Sequence, residues 1–211
     1  MKYIGSGLHK CEILLCDGDY FGKEVRRLMK KNLKVVALGD SITQGYPFDM
    51  EASWVYILKM EKGLDIVNKG INGDTLEGML ERFERDVISL LPGMVIIMGG
   101  TNDAFDGYSL SSMEYNLKRM VKFAKESKIV PVIGIPVPVD EPAVEIKLQK
   151  FRDFLRNFCD EEKIAFIDFY KTMVDEYGKI KEKLDFDGVH PNRDGYRVMA
   201  DIAYDFLIQA F

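Results

Sequence analysis

What most restricts the fold of this chain is an alternation. Five short apolar runs, Val35–Leu38, Leu64–Val67, Met94–Met98, Ile129–Gly134 and Ile164–Ile167, are set apart by longer amphipathic stretches. The runs are mostly rich in Val and Ile and are short, as strands buried on both faces are. The stretches at 52–62, 74–91, 111–127, 141–162 and 192–209 carry their apolar residues at helical spacing. In the second of them Leu76, Leu80, Phe83, Val87 and Leu91 form one face, which leaves Glu81, Arg82, Glu84 and Arg85 to the other. Strands alternating with helices build βαβ units. The expected fold is therefore α/β, with a parallel sheet, helices on both of its faces and right-handed crossovers. Ligands of such sheets bind at the carboxyl ends of the strands, which is where chemistry-bearing residues should gather.

This unit occupies residues 34–211. Residues 1–33 form an N-terminal extension, read either as a β-hairpin turning at Asp17-Gly18 or as a strand followed by a helix, in both cases packed on the main domain. Its Ile13, Leu14, Leu15 and Phe21 suit it to cover a sheet edge or to pair with a second copy in a homo-oligomer.

Composition narrows the function classes. At 211 residues and 47% apolar, the chain has the material for one domain with its own core. A net charge of -5 gives no electrostatic reason to expect a nucleic-acid partner. No apolar run approaches the ~20 residues a membrane span requires. Gly5, Ser6, Gly7, His9 and Lys10 interrupt any signal-peptide core. Cys11, Cys16 and Cys159 make an odd count with no metal-ligand spacing, and they read as reduced thiols in or near the core. The expected location is cytoplasmic.

Four motifs follow strands or open helices. Gly39-Asp40-Ser41 follows Val35–Leu38 and reads either as a turn into a helix cap or as a presented nucleophile. It lacks the G-x-S-x-G pattern of a nucleophile elbow, because Thr43 stands two residues after Ser41. The loop Asn72-Gly73-Asp74-Thr75 follows Leu64–Val67. Its glycine serves either positive φ, with Asp74 capping the next helix, or a backbone N–H open to close approach. Gly99-Gly100-Thr101-Asn102-Asp103 follows Met94–Met98, and Asn102 offers either turn chemistry or an amide donor for an oxyanion. Asp187-Gly188-Val189-His190-Pro191-Asn192 opens the final helix. The chain has only two histidines, and His9 lies in the N-terminal extension, so His190 is the better candidate base. Asp187 stands three residues earlier, within reach to orient the ring. Together the four motifs hold the parts of an acyl-transfer site.

At these residues the chain resembles the SGNH hydrolases, also called the GDSL esterase/lipase family, in ordered blocks from residue 34 to about 207. The resemblance implies a flavodoxin-like three-layer α/β/α sandwich around a central, mostly parallel five-stranded sheet. It implies Ser41 as nucleophile, His190 as base and Asp187 as its partner. An oxyanion hole would come from the Ser41 N–H, the Gly73 N–H and the Asn102 amide, and no metal or other cofactor is expected. The expected substrate is a small-molecule ester. The absence of a long lid insertion favours a short acyl group, such as acetyl on a carbohydrate or another small alcohol. Asp40, Phe105 and Tyr108 are expected beside the substrate, with walls from 46–54, 104–108 and 136–139. The alternatives are a lysophospholipase or thioesterase for longer chains, a metal-dependent phosphoesterase using Asp40, Asp103, Asp187 and His190, and a non-catalytic binding module.

Overall fold

A computed structural model describes residues 33–209. The expected readings of the N-terminal extension, with Cys11, Cys16 and His9, therefore lie outside the described residues. The strands are β1 (Val35–Gly39), β2 (Ile66–Gly70), β3 (Met94–Met98), β4 (Val130–Ile135) and β5 (Ala165–Asp168). They form one five-stranded sheet in the order β2-β1-β3-β4-β5. Each neighbouring pair is parallel, with Val35 opposite both Ile66 and Met94, Met94 opposite Val130, and Val132 opposite Ala165. The described sheet is thus wholly parallel, as the alternation of runs and helices led us to expect, where the family resemblance implied a mostly parallel one.

The helices are α1 (Ser41–Gln44), α2 (Trp54–Met60), α3 (Leu76–Glu81), α4 (Phe83–Asp86), α5 (Thr101–Phe105), α6 (Leu110–Glu126), α7 (Pro142–Glu162), α8 (Phe169–Met173) and α9 (Arg193–Gln209). Local chemistry sets their ends. Thr75 caps α3 by accepting from the Gly78 N–H, Ser109 caps α6 by accepting from Ser112, and Pro142 stands in the first turn of α7. Alternation along β1 divides the molecule into layers. Val35 and Ala37 face a core shared with Trp54 and Leu58 of α2 and Met199 and Ala203 of α9. Val36 and Leu38 face a second core shared with α3, α6 and α7 through Met79, Leu117 and Leu155. This is the α/β/α sandwich. Cys159 is buried in the second core.

Two expectations change. The β2 strand begins later than the apolar run, because the Leu64 N–H is tied back to Leu58 O of α2 at 3.1 Å. It also continues through polar Asn68 and Lys69, which a strand at the edge of the sheet, as β2 is among the described residues, tolerates. The stretch 74–91 is not one helix. It breaks at Arg82, where φ and ψ are -95° and 3°, and again at Val87. Arg82, assigned to the solvent face by spacing alone, is only 7% exposed, whereas Leu91 is 84% exposed. The break turns Arg82 inward, toward the end of β1.

Candidate active site

The turn after β1 explains both readings of Gly39-Asp40-Ser41. A Cβ at Gly39 would press on the Thr43 hydroxyl and lie 2.7 Å from Met98 O of the neighbouring strand, so the close approach requires glycine. Asp40 is the helix cap: its carboxylate accepts from the Ile42 N–H at 3.0 Å. With that duty taken by Asp40, Ser41 opens α1 with its hydroxyl uncommitted to the helix. Its Oγ lies 3.0 Å from His190 Nε2, across a sequence separation of 149 residues.

His190 is held by its own loop. Asp187 Oδ2 lies 2.9 Å from His190 Nδ1, and Oδ1 accepts from the His190 N–H at 2.8 Å and the Val189 N–H at 3.1 Å. The loop is closed at its base by a bridge between Asp185 and Pro191, and by the Asn192 side chain donating to Lys183 O and Asp185 O. The Tyr46 ring stands 4.6 Å from the imidazole, and buried Tyr196 donates from its hydroxyl to Tyr46 O at 2.6 Å. Burial pushes the Asp187 carboxyl up. Hydrogen bonds from the His190 backbone and ring outweigh that effect and hold it below the ordinary carboxylate range. An ionised Asp187 can only accept, so it selects the imidazole tautomer with the proton on Nδ1. Nε2 is then free to accept from the Ser41 hydroxyl.

The expected oxyanion donors lie on the ends of the three adjacent strands β2, β1 and β3. Among the described residues, neither the Ser41 N–H nor the Gly73 N–H is engaged in a hydrogen bond. Gly73 takes φ +74°, and a Cβ there would meet open space. Positive φ is thus what makes it glycine, and the helix cap beside it is Thr75 rather than Asp74. The Asn102 amide donates to Asp74 O at 2.8 Å, which ties the end of β3 to the Gly73 loop and leaves a second amide hydrogen.

Of the residues expected beside the substrate, Phe105 is 43% exposed at the end of α5, and Tyr108 is half-buried against the second core. Asp40 is a correction. It is buried under the turn, where its carboxylate serves the Ile42 N–H and is closed to substrate. Among the expected wall residues, Trp54, Val137 and Val139 are buried as well. Burial pushes the Asp40 carboxyl up to about 7, with Asp103 and Asp74 nearby adding to the rise. Burial likewise raises Asp103 to about 6, although its carboxylate accepts from the Leu76 N–H. Each carboxylate of the metal reading is engaged with a partner of its own. Asp40 caps α1, Asp103 accepts from the Leu76 N–H and Asp187 serves His190, and among the described residues no three His, Cys, Asp or Glu side chains gather as ligands.

A model of the GDSL-like Lipase/Acylhydrolase family matches residues 37–198, which include every residue of this site. The chain belongs to that family. As a GDSL acylhydrolase it is a serine hydrolase of ester bonds. Among solved structures it is similar to a protein assigned to the G-D-S-L lipolytic family from Desulfitobacterium hafniense DCB-2. That match has a TM-score of 0.78 and 32% identity, and covers 82% of this chain and 99% of the other. It is 26% identical over 181 residues to an arylesterase of Vibrio mimicus, covering 83% of this chain and 88% of that one. It is 27% identical over 172 residues to the thioesterase 1/protease 1/lysophospholipase L1 of Escherichia coli K12, covering 79% of each. A match to the uncharacterized lipoprotein YqeF of Bacillus subtilis reaches 39% over 120 residues, but spans only 51% of this chain and 49% of that one.

Two parts of this GDSL site were missed in the sequence, Arg82 beneath the Ser41 turn and the Asp74 carbonyl that accepts from Asn102, and Tyr46, expected in a pocket wall, was not expected against the His190 ring. For Arg82 a signal was present in the carboxylates eight residues before it and four after, Asp74 and Asp86.

Proposed function

We propose that this GDSL acylhydrolase cleaves esters of short acyl groups, acetyl foremost, on a carbohydrate or another small alcohol, through a Ser41-His190-Asp187 triad. The observation that carries the reading is the unbroken hydrogen-bonded line from Asp187 through His190 to Ser41, with contacts of 2.9 and 3.0 Å. His190 Nε2 takes the Ser41 proton as Oγ attacks the ester carbonyl. The tetrahedral oxyanion is held by the Ser41 N–H, the Gly73 N–H and the Asn102 amide. His190 then protonates the leaving alcohol, and the acyl group stays on Ser41. Water, deprotonated by His190, attacks the acyl-enzyme and releases the acid. The reaction needs no cofactor in this scheme. Ionised Asp187 stabilises the imidazolium at each step and stays ionised.

The preference for a short acyl group is supported by the connections around Ser41. The segment between β2 and α3 is residues 71–75, and that between β3 and α5 is residues 99–100. Neither carries an insertion that would enclose a long chain. The similarity to a thioesterase and lysophospholipase supports a second reading, in which the exposed Ile71 and Phe105 contact a longer chain. A series of p-nitrophenyl esters of increasing chain length separates the two. Highest kcat/KM on acetate or butyrate is expected, and a maximum at octanoate or longer would replace the first reading with the second.

A further inference from the structure

A buried arginine lies beneath the proposed oxyanion hole, and the chemistry above gives it no direct part. Arg82 donates from one terminal nitrogen to Gly39 O at 2.9 Å, from Nε to Asp74 Oδ2 at 2.7 Å, and from the other terminal nitrogen to Asp86 Oδ2 at 3.1 Å. Gly39 O is the carbonyl two residues before the Ser41 N–H. Asp74 directly follows Gly73, and its own carbonyl accepts the Asn102 amide at 2.8 Å. One guanidinium therefore touches the Gly39 and Asp74 segments directly and is linked to the Asn102 segment through the Asp74 carbonyl.

Those segments need such a tie because the sheet no longer supplies one. The β1–β2 register ends at Gly39 opposite Gly70, and the β1–β3 register ends at Gly39 opposite Met98. Beyond these pairs the Ile71 N–H still reaches Gly39 O at 3.1 Å, but the Gly73 and Asn102 segments lie past the last paired residues. Donors aimed at a developing charge must be held to within about 0.5 Å. A rigid planar fork holds a carbonyl and a carboxylate in one fixed relative geometry, whereas an ammonium on a flexible stem can bind both without fixing it.

We propose that Arg82 is the positioning residue of the oxyanion hole. It fixes the Ser41, Gly73 and Asn102 segments relative to one another through Gly39 O and Asp74, and it does not touch the substrate. The inference rests on the oxyanion hole proposed above.

The test is p-nitrophenyl acetate hydrolysis, with rates normalised to active sites titrated by a fluorophosphonate so that unfolded protein does not count. Arg82→Lys is expected to lower kcat per titrated site by about tenfold or more, with KM within about twofold. Asp86→Asn removes the guanidinium's partner on the side away from Gly39 and Asp74. It is expected to lower the melting temperature and leave kcat per site unchanged. If Arg82→Lys does not fold, Asp74→Asn carries the same prediction, since it loses the carboxylate facing Arg82 and keeps the carbonyl that serves Asn102. Full kcat per site in Arg82→Lys or Asp74→Asn, or an equal loss in Asp86→Asn, overturns the proposal. Asn102→Ala run alongside identifies the source of a failure. If it keeps full kcat, the hole itself is rejected and the inference with it. If it is impaired while Arg82→Lys is intact, only the role of Arg82 is rejected.

Discussion

Asn102 shows how far one residue can be read without its surroundings. In the sequence its amide was open to turn chemistry or to oxyanion donation, and in the fold it donates to Asp74 O, 28 residues away. That bond occupies one amide hydrogen, and the proposed oxyanion hole uses the other. Asn102→Ala should therefore lower kcat on p-nitrophenyl acetate by about 10²–10³ with a much smaller change in KM. A loss confined to KM would instead make Asn102 a substrate-binding group. Other residues were legible for simple reasons. His190 stood out because the chain holds only one other histidine, and Asp187 because three residues back in a loop is hydrogen-bonding distance. Asp40 was misplaced because adjacent Asp and Ser are equally good caps by residue type. Which of them turns toward the Ile42 N–H is decided by the packing of Gly39 against Met98 and Thr43, which no local pattern records.

Among the elements, those with strong periodicity were legible nearly to their ends. The stretches at 111–127, 141–162 and 192–209 appear as α6 (Leu110–Glu126), α7 (Pro142–Glu162) and α9 (Arg193–Gln209). The stretch 74–91 was legible as helical but not as broken. Its break depends on Arg82 finding Gly39 O and two carboxylates, a tertiary bargain that outweighs helical propensity. The short helix α1 carries a prediction of its own through its cap. Asp40 titrates near 7 in the folded protein against an ordinary 3.8, so the folded state holds its proton more tightly than the unfolded chain. As pH rises through that window the unfolded chain ionises first, and the contribution of Asp40 to stability falls, with the loss complete above about 7. Asp40→Asn keeps an acceptor for the Ile42 N–H and removes the charge, at the cost of a buried amide hydrogen pair. The stability of Asp40→Asn relative to the unsubstituted protein should therefore rise between pH ~4 and ~7, by an amount on the order of 2–4 kcal/mol. Chemical denaturation across that range would show it, and parallel curves would contradict it.

At the scale of the molecule, the site is a product of strand order. Placing β1 between β2 and β3 sets Ser41, Gly73 and Asn102 at neighbouring strand ends, although the first and the last are 61 positions apart in the sequence. Two cores lock that arrangement from opposite faces of the sheet, one through α2 and α9, the other through α3, α6 and α7. The loop before α9 then delivers His190 to Ser41. The layers were legible because buried parallel strands and amphipathic helices leave unmistakable patterns. The order of the strands was not, since the runs carry no mark of which neighbour each will pair with. In the proposed mechanism this topology makes one serine hydroxyl nucleophilic, and the most direct measurement of that is the initial rate of p-nitrophenyl acetate hydrolysis by Ser41→Ala. That variant should keep the melting transition of the unsubstituted protein and lose at least about 10³ in kcat. A folded Ser41→Ala protein that retains most of its esterase activity would contradict the account.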